Sequence, residues 1–177
     1  SIDYSYDFVA DDGKLTAGKP AQAIEDRIAQ ITQEAYDNGD YIFVAMDRHD
    51  EGDTFHPETK LFPPHNIAGT SGRELYGKLA SVYDAIKDDN RVFWMDKRHY
   101  SAFSGTDLDI RLRERRVTTV ILTGVLTDIC VLHTAIDAYN LGYDIEVVES
   151  ATASLTPEAH DFAIGHFKNV LGATIVE

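Results

Sequence analysis

Runs of apolar residues alternate along this chain with segments whose apolar positions recur every three or four residues. The runs are continuous instead of alternating in and out: Tyr41 to Met46, Arg91 to Met95, Val117 to Val125, Ile145 to Val148, and a last one near Ala173 to Val176. Such runs mark strands buried on both faces. Ser1-Ile2-Asp3 reads as the tail of a further strand, with residues upstream of it missing. Between the runs, Ile24, Ile28, Ile31 and Ala35 predict a helix stopped by Asn38-Gly39, and Leu75, Leu79, Val82 and Ile86 predict another. Two more are expected over Thr127 to Leu141, stopped by Gly142, and over Pro157 to Leu171, opened by Thr156-Pro157 and stopped by Gly172. This βαβα order implies an α/β fold with a mostly parallel sheet and helices on both faces, because each parallel return needs a right-handed crossover. Ligands then bind beyond the carboxyl ends of the strands. With no internal repeat or linker, residues 1–177 read as one domain.

Charge narrows the choice of partner. Sixteen Lys and Arg against 30 Asp and Glu leave a formal charge of −14, which argues against nucleic acid and anionic membranes. The 44% apolar content is enough for a full core. No apolar run approaches the ~18 residues of a membrane span, and no secretory leader is seen, so a cytoplasmic setting is expected. The single cysteine, Cys130, excludes an intrachain disulfide; the thiol is either inert filler or reactive.

Polar groups then appear at the predicted strand ends: Asp3, Asp47, Asp96-Lys97, and Gly124 to Cys130. Cys130 lies three residues after Thr127, in the first turn of an expected helix whose amides and dipole favour a thiolate, with Asp128 helping to cap that turn. The long polar loop His49 to Gly72 holds three of the five prolines, and loops of that length are usually functional. Asp47 and His49, two apart, share a side of an extended chain, and His56, Glu58 and His65 can complete a divalent site. Aromatics Phe8, Phe62, Trp94, Tyr100 and Phe103 flank these groups and could line a flat pocket. Arg111, Arg113, Arg115 and Arg116 read as the solvated face of an amphipathic helix. Gly69 to Gly72 lacks the lysine and spacing of a phosphate loop.

The segments Asp3-Tyr4-Ser5-Tyr6-Asp7-Phe8, Asp47-Arg48-His49, Pro63-Pro64-His65, Lys97 to Thr106 and Thr123 to Val131 resemble those of the isochorismatase-like cysteine hydrolases, collinearly from Ser1 to about Val176. Within that family the chain is most similar to bacterial nicotinamidases. The resemblance implies a three-layer α/β/α fold with a mostly parallel six-stranded sheet. It implies a triad of Asp3, Lys97 and Cys130, a cis peptide at Val125-Leu126, and an oxyanion hole from the amides of Leu126 and Cys130. One divalent metal ion is implied beside the triad, zinc first, with iron or manganese as alternatives, on Asp47, His49, Glu58 and His65. Phe8, Phe62 and Tyr100 would face the substrate, nicotinamide. Two departures stand out: Ser5-Tyr6 replaces the common Gln-Asn, and His56 could take the place of Glu58 as ligand. Lys97 would hold Cys130 as thiolate while Asp3 moves the protons. The expected activity is hydrolysis of nicotinamide to nicotinate in NAD salvage, and a homo-oligomer is compatible with it. Another small-amide or carbamoyl hydrolase, or a catalytically silent binder on the same fold, are the alternatives.

Overall fold

In the computed structural model, which describes residues 1–177, the apolar runs form β1 (Ile42–Asp47), β2 (Val92–Lys97), β3 (Thr119–Val125), β4 (Asp144–Ala153) and β5 (Thr174–Val176). β1 pairs with β2, β3 with β4 and β4 with β5, all in parallel. Ile2 bridges Ala45 of β1 and Gly124 of β3, so the order across the sheet is β2, β1, the Ile2 segment, β3, β4, β5. The expected sixth strand is therefore a single bridging residue in the middle of the sheet. β4 runs past the expected end at Val148, because Thr152 and Ala153 pair with Gly124 and Val125 after a shift of register.

The helices are α1 (Tyr6–Val9), α2 (Lys19–Ala23), α3 (Glu25–Asn38), α4 (Gly77–Ile86), α5 (Leu108–Glu114), α6 (Leu132–Leu141) and α7 (Pro157–Asn169). α3 and α6 stop at Gly39 and Gly142 as their sequences predict, and Thr156 caps α7 by accepting the Ala159 amide. α1 and α2 are too short to show a helical period, so the sequence pattern does not announce them.

Alternation along β1 sorts the core into two layers. Ile42, Val44 and Met46 pack with Ala21, Ile28 and Leu79 of α2, α3 and α4, whereas Ala45 belongs with Leu108, Leu112, Ala135, Ala138, Ala163 and Phe167 of α5, α6 and α7. Helices thus cover both faces of the sheet, the three-layer arrangement expected. β2 is an edge strand whose Trp94 is partly exposed, a departure from burial on both faces. No helix is long and apolar enough to cross a membrane. The order of strands reverses around Ile2, and a crevice at the carboxyl ends is the geometric consequence.

Candidate active site

Asp3, Lys97 and Cys130 enter this crevice from three different strand ends. Asp3 follows the Ile2 bridge in a left-handed backbone conformation, with φ of 55°, and is fully buried. One carboxylate oxygen accepts the Asp47 amide at 2.7 Å, and the other lies 2.7 Å from Lys97 Nζ. Lys97 ends β2; its Nζ donates to the His99 carbonyl at 3.0 Å and stands 3.7 Å from Asp47 Oδ1 and 3.8 Å from Cys130 Sγ.

These neighbours decide the charges. Burial works against the Lys97 ammonium, but Asp3, Cys130 and Asp47 outweigh it and hold its pKa well above the usual lysine range. Burial pushes the Asp3 carboxyl up to about 6 against the pull of Lys97, so Asp3 is ionised at neutral pH and close to the range of an effective base. Burial also pushes the Cys130 thiol well up, and the Lys97 charge only partly offsets that. Against the expected resting thiolate, burial thus favours the protonated sulfur, with the Asp3 carboxylate nearby. The helix gives less help than its sequence suggests, since Cys130 sits late in a single π-helical turn, Thr127–Val131, that precedes α6.

That turn is held from several sides. The peptide Val125-Leu126 is cis, as the resemblance implies. The Leu126 carbonyl accepts the Ile129 and Val131 amides, each at 3.1 Å, while the Leu126 amide donates to no protein group. Thr127 Oγ1 meets His160 Nδ1 at 2.9 Å, and the Thr134 hydroxyl donates to the Cys130 carbonyl at 2.7 Å while accepting the Ala102 amide at 3.0 Å. Asp128 does not cap the turn as expected; its carboxylate accepts the Ser154 hydroxyl at 2.6 Å and so ties the turn to the end of β4.

A second buried cluster lies alongside. The ligand atoms of Asp47, His49, Glu58 and His65 all fall within 4.8 Å of one another. His49 Nε2 is 2.8 Å from Asp47 Oδ2 and 3.8 Å from Glu58 Oε2; His65 Nε2 is 3.5 and 3.7 Å from the same two atoms. His65 Nδ1 donates to the Pro63 carbonyl at 2.8 Å, which turns a bare Nε2 lone pair into the cluster. That Nε2 and Asp47 Oδ1 are buried without a hydrogen-bond partner. Burial raises the Glu58 carboxyl and the nearby Asp47 charge raises it further, whereas for Asp47 the hydrogen bond from His49 and the Lys97 charge outweigh burial and keep it well below the usual range. Two imidazoles, two mutually repelling carboxylates and orphaned lone pairs fit a first-row divalent cation. His56 stands outside: Nδ1 accepts the Glu58 amide at 3.3 Å and Nε2 is taken up by the Arg98 carbonyl, so Glu58 is the one that faces the cluster.

A cavity of 90 Å³ joins the two groups, with Leu126, Ile129 and Cys130 on its wall together with Asp47, Glu58 and His65. Phe8, Phe62 and Tyr100 line it as expected, and Leu15, Thr16 and Leu155 complete it. Leu155 follows β4 closely, so the strand-end rule could have found it; Leu15 and Thr16 lie in an irregular segment that carries no signal. Two expected aromatics are elsewhere. Trp94 donates to Asp96 at the sheet edge, and Phe103 stacks on Tyr143 at 5.8 Å. The arginines of α5 pair with Asp107 and Asp109 one turn back, the solvated face anticipated. A larger apolar cavity of 260 Å³ opens toward the amino ends of the strands, beside Ser1, Phe43 and Val120, and contains none of the charged or thiol groups above.

Known proteins share this arrangement of the whole chain. The isochorismatase domain model matches residues 1–176. An isochorismatase family protein of Bacillus subtilis, PncA, is 54% identical over 176 residues, covering 99% of this chain and 96% of its own. Among solved structures, a pyrazinamidase/nicotinamidase from Streptococcus mutans superposes with a TM-score of 0.98 at 80% identity, covering 99% of this chain and 97% of that one. The pyrazinamidase of Pyrococcus horikoshii, solved in complex with zinc, superposes with a TM-score of 0.85 at 26% identity, covering 99% and 96%. Since the domain model matches residues 1–176 and these relatives each align over 99% of the chain, the chain belongs to the isochorismatase family.

Proposed function

We propose that residues 1–177 act as one hydrolase domain that converts nicotinamide to nicotinate and ammonia, a step of NAD salvage. The carrying observation is the cavity whose wall includes Cys130 and Leu126 together with Asp47, Glu58 and His65. A pyridine carboxamide has matching parts, an electrophilic carbon and a ring nitrogen, held in one plane. Phe8, Phe62 and Tyr100 supply apolar walls for such a ring.

The proposed chemistry starts from a protonated thiol. As Sγ attacks the amide carbon, its proton passes to Asp3, and the developing oxyanion is met by the amides of Leu126 and Cys130. Lys97, cationic throughout, stabilises the negative charge on sulfur during attack. The carbon–nitrogen bond breaks as Asp3 returns its proton to the departing ammonia, leaving a thioester on Cys130. Water then attacks the thioester carbon with Asp3 again as base, and nicotinate leaves as the thiol is restored. Asp47, His49, Glu58 and His65 would hold the divalent ion, which when bound supplies a Lewis-acid partner for the pyridine nitrogen.

The test combines ammonia release with binding of two amides. Nicotinamide should release ammonia, and its affinity should drop steeply when zinc is removed or His49→Ala is introduced. Benzamide, which lacks the ring nitrogen, should gain little from zinc. If zinc helps both amides equally, the ion does not read the ring; if only non-pyridine amides release ammonia, the chain is a different small-amide hydrolase.

A further inference from the structure

The metal-ligand loop and the turn bearing Asp3 are fastened by a buried latch that takes no part in the chemistry above. Asp7 of α1 is a buried carboxylate whose acceptors are both spent on backbone: one oxygen takes the Lys14 amide at 3.1 Å, the other the Asn66 amide at 2.8 Å. Gly72 packs so closely that a Cβ there would fall 2.2 Å from Asp7 Oδ2, so the carboxylate has no room to turn away. Asn66 is fully buried in a left-handed conformation, with φ of 45°. Its side-chain oxygen accepts the Ser5 hydroxyl at 2.9 Å, and the Ser5 amide in turn donates to the Asp3 carbonyl at 2.7 Å.

Asn66 is placed between the two imidazoles of the cluster. It follows His65 in the chain, and its carbonyl accepts the His49 amide at 3.1 Å. Phe8, next to Asp7, packs its ring 5.3 Å from that of His65. A strained, buried asparagine, clamped at its amide by a carboxylate and at its side chain by a hydroxyl, thus sets where both histidines begin. A carboxylate can accept at both oxygens, whereas an isosteric amide there would set an NH₂ against a backbone N–H.

We infer that Asp7 and Asn66, with Ser5, are positioning residues that hold His49 and His65 in ligand geometry, so that affinity for the divalent ion depends on them. The inference rests on the proposed metal site. It also gives Ser5, which departs from the family's usual Gln-Asn, a function of its own in this chain.

The experiment titrates zinc alone against a chromophoric chelator, on protein shown by circular dichroism to be folded and well below its melting temperature. Asp7→Asn should weaken zinc binding by about 10–100-fold, the range for groups that orient metal ligands from behind. Ser5→Ala should weaken it several-fold. A latch that merely braces the fold would lower the melting temperature of metal-free Asp7→Asn protein yet leave zinc affinity within about twofold of wild type, and that result overturns the inference. If Asp7→Asn does not fold, Ser5→Ala carries the test, and unchanged affinity there overturns it too. Wild-type protein that takes up no zinc, or loses none of its affinity in His49→Ala, would overturn the metal site itself and this inference with it; wild-type binding with unchanged latch variants overturns the latch alone.

Discussion

At Cys130 the decisive quantity is the balance between burial, which favours the protonated thiol, and Lys97 at 3.8 Å, which opposes it. Cys130→Ala should reduce ammonia release to the uncatalysed level while nicotinamide still binds by calorimetry, at a stability cost of no more than about 2 kcal/mol. Turnover within tenfold of wild type would remove the covalent mechanism. Lys97→Met withdraws the one nearby cation, so the pH at which iodoacetamide alkylates the thiol should move upward; an unmoved profile would mean that the ammonium does not act on the sulfur. Asp3, raised to about 6, must be ionised to accept a proton, so kcat/KM should be full above that pH and fall about tenfold per unit well below it. Because the Asp47 charge is part of what raises Asp3, a cation bound at Asp47 should shift this acid limb downward relative to metal-free protein. Activity that persists undiminished to pH 4 would exclude Asp3 as the base. Residue types at strand ends singled out Asp3, Lys97 and Cys130, which the resemblance grouped as a triad, but the burial that favours the protonated thiol is not displayed by a sequence.

At the level of elements, the site depends on how one bridging residue is gripped. Gly124 in β3 has φ of 113°, and a Cβ there would lie 1.9 Å from the Ile2 carbonyl oxygen. Gly124→Ala should therefore push the Ile2 segment off β3, costing about 3 kcal/mol or more and lowering the melting temperature by about 6–12 °C. Asp3 follows Ile2, so activity should fall further than the loss of folded protein explains. Normal activity per folded molecule would show that the bridge does not aim Asp3. The helices foreseen from their apolar positions, α3, α4, α6 and α7, carry a stripe long enough to repeat, and α5 was foreseen from its charged face. α1 and α2 carry no such stripe, and the π-helical turn before α6 is invisible because its residues continue the same apolar pattern. The polar Glu149 and Ser150 hid the continuation of β4, which depends on pairing with β3 after a register shift.

Across the whole molecule, the metal cluster unites a strand end with a loop more than ten residues farther along, so a cation bound there should stabilise the native state alone. At a free zinc concentration of about 100 times Kd, linkage gives about 2.7 kcal/mol, or a rise of about 5–11 °C in melting temperature for a chain of this size. Chelator should reverse the rise, and His49→Ala should abolish most of it. A melting curve indifferent to zinc in wild type would mean that the four side chains hold no ion.

Period, run length and strand-end chemistry were enough to specify an α/β layer fold and the rim where ligands are expected to bind, because those features are set by local patterns and by the right-handedness of crossovers. The resemblance of the motifs added the cis peptide and the expectation of a triad and a metal-ligand set. What remained open was which groups face each other: Glu58 instead of His56 in the cluster, Trp94 and Phe103 away from the cavity, Leu155 in its wall, Asp128 bound to Ser154 instead of capping its own turn. Each of these depends on where a side chain points and what distant strand or loop packs against it. Burial, charge balance and hydrogen-bond partners are properties of that packing, and residues distant in sequence acquire them together only when the chain has folded.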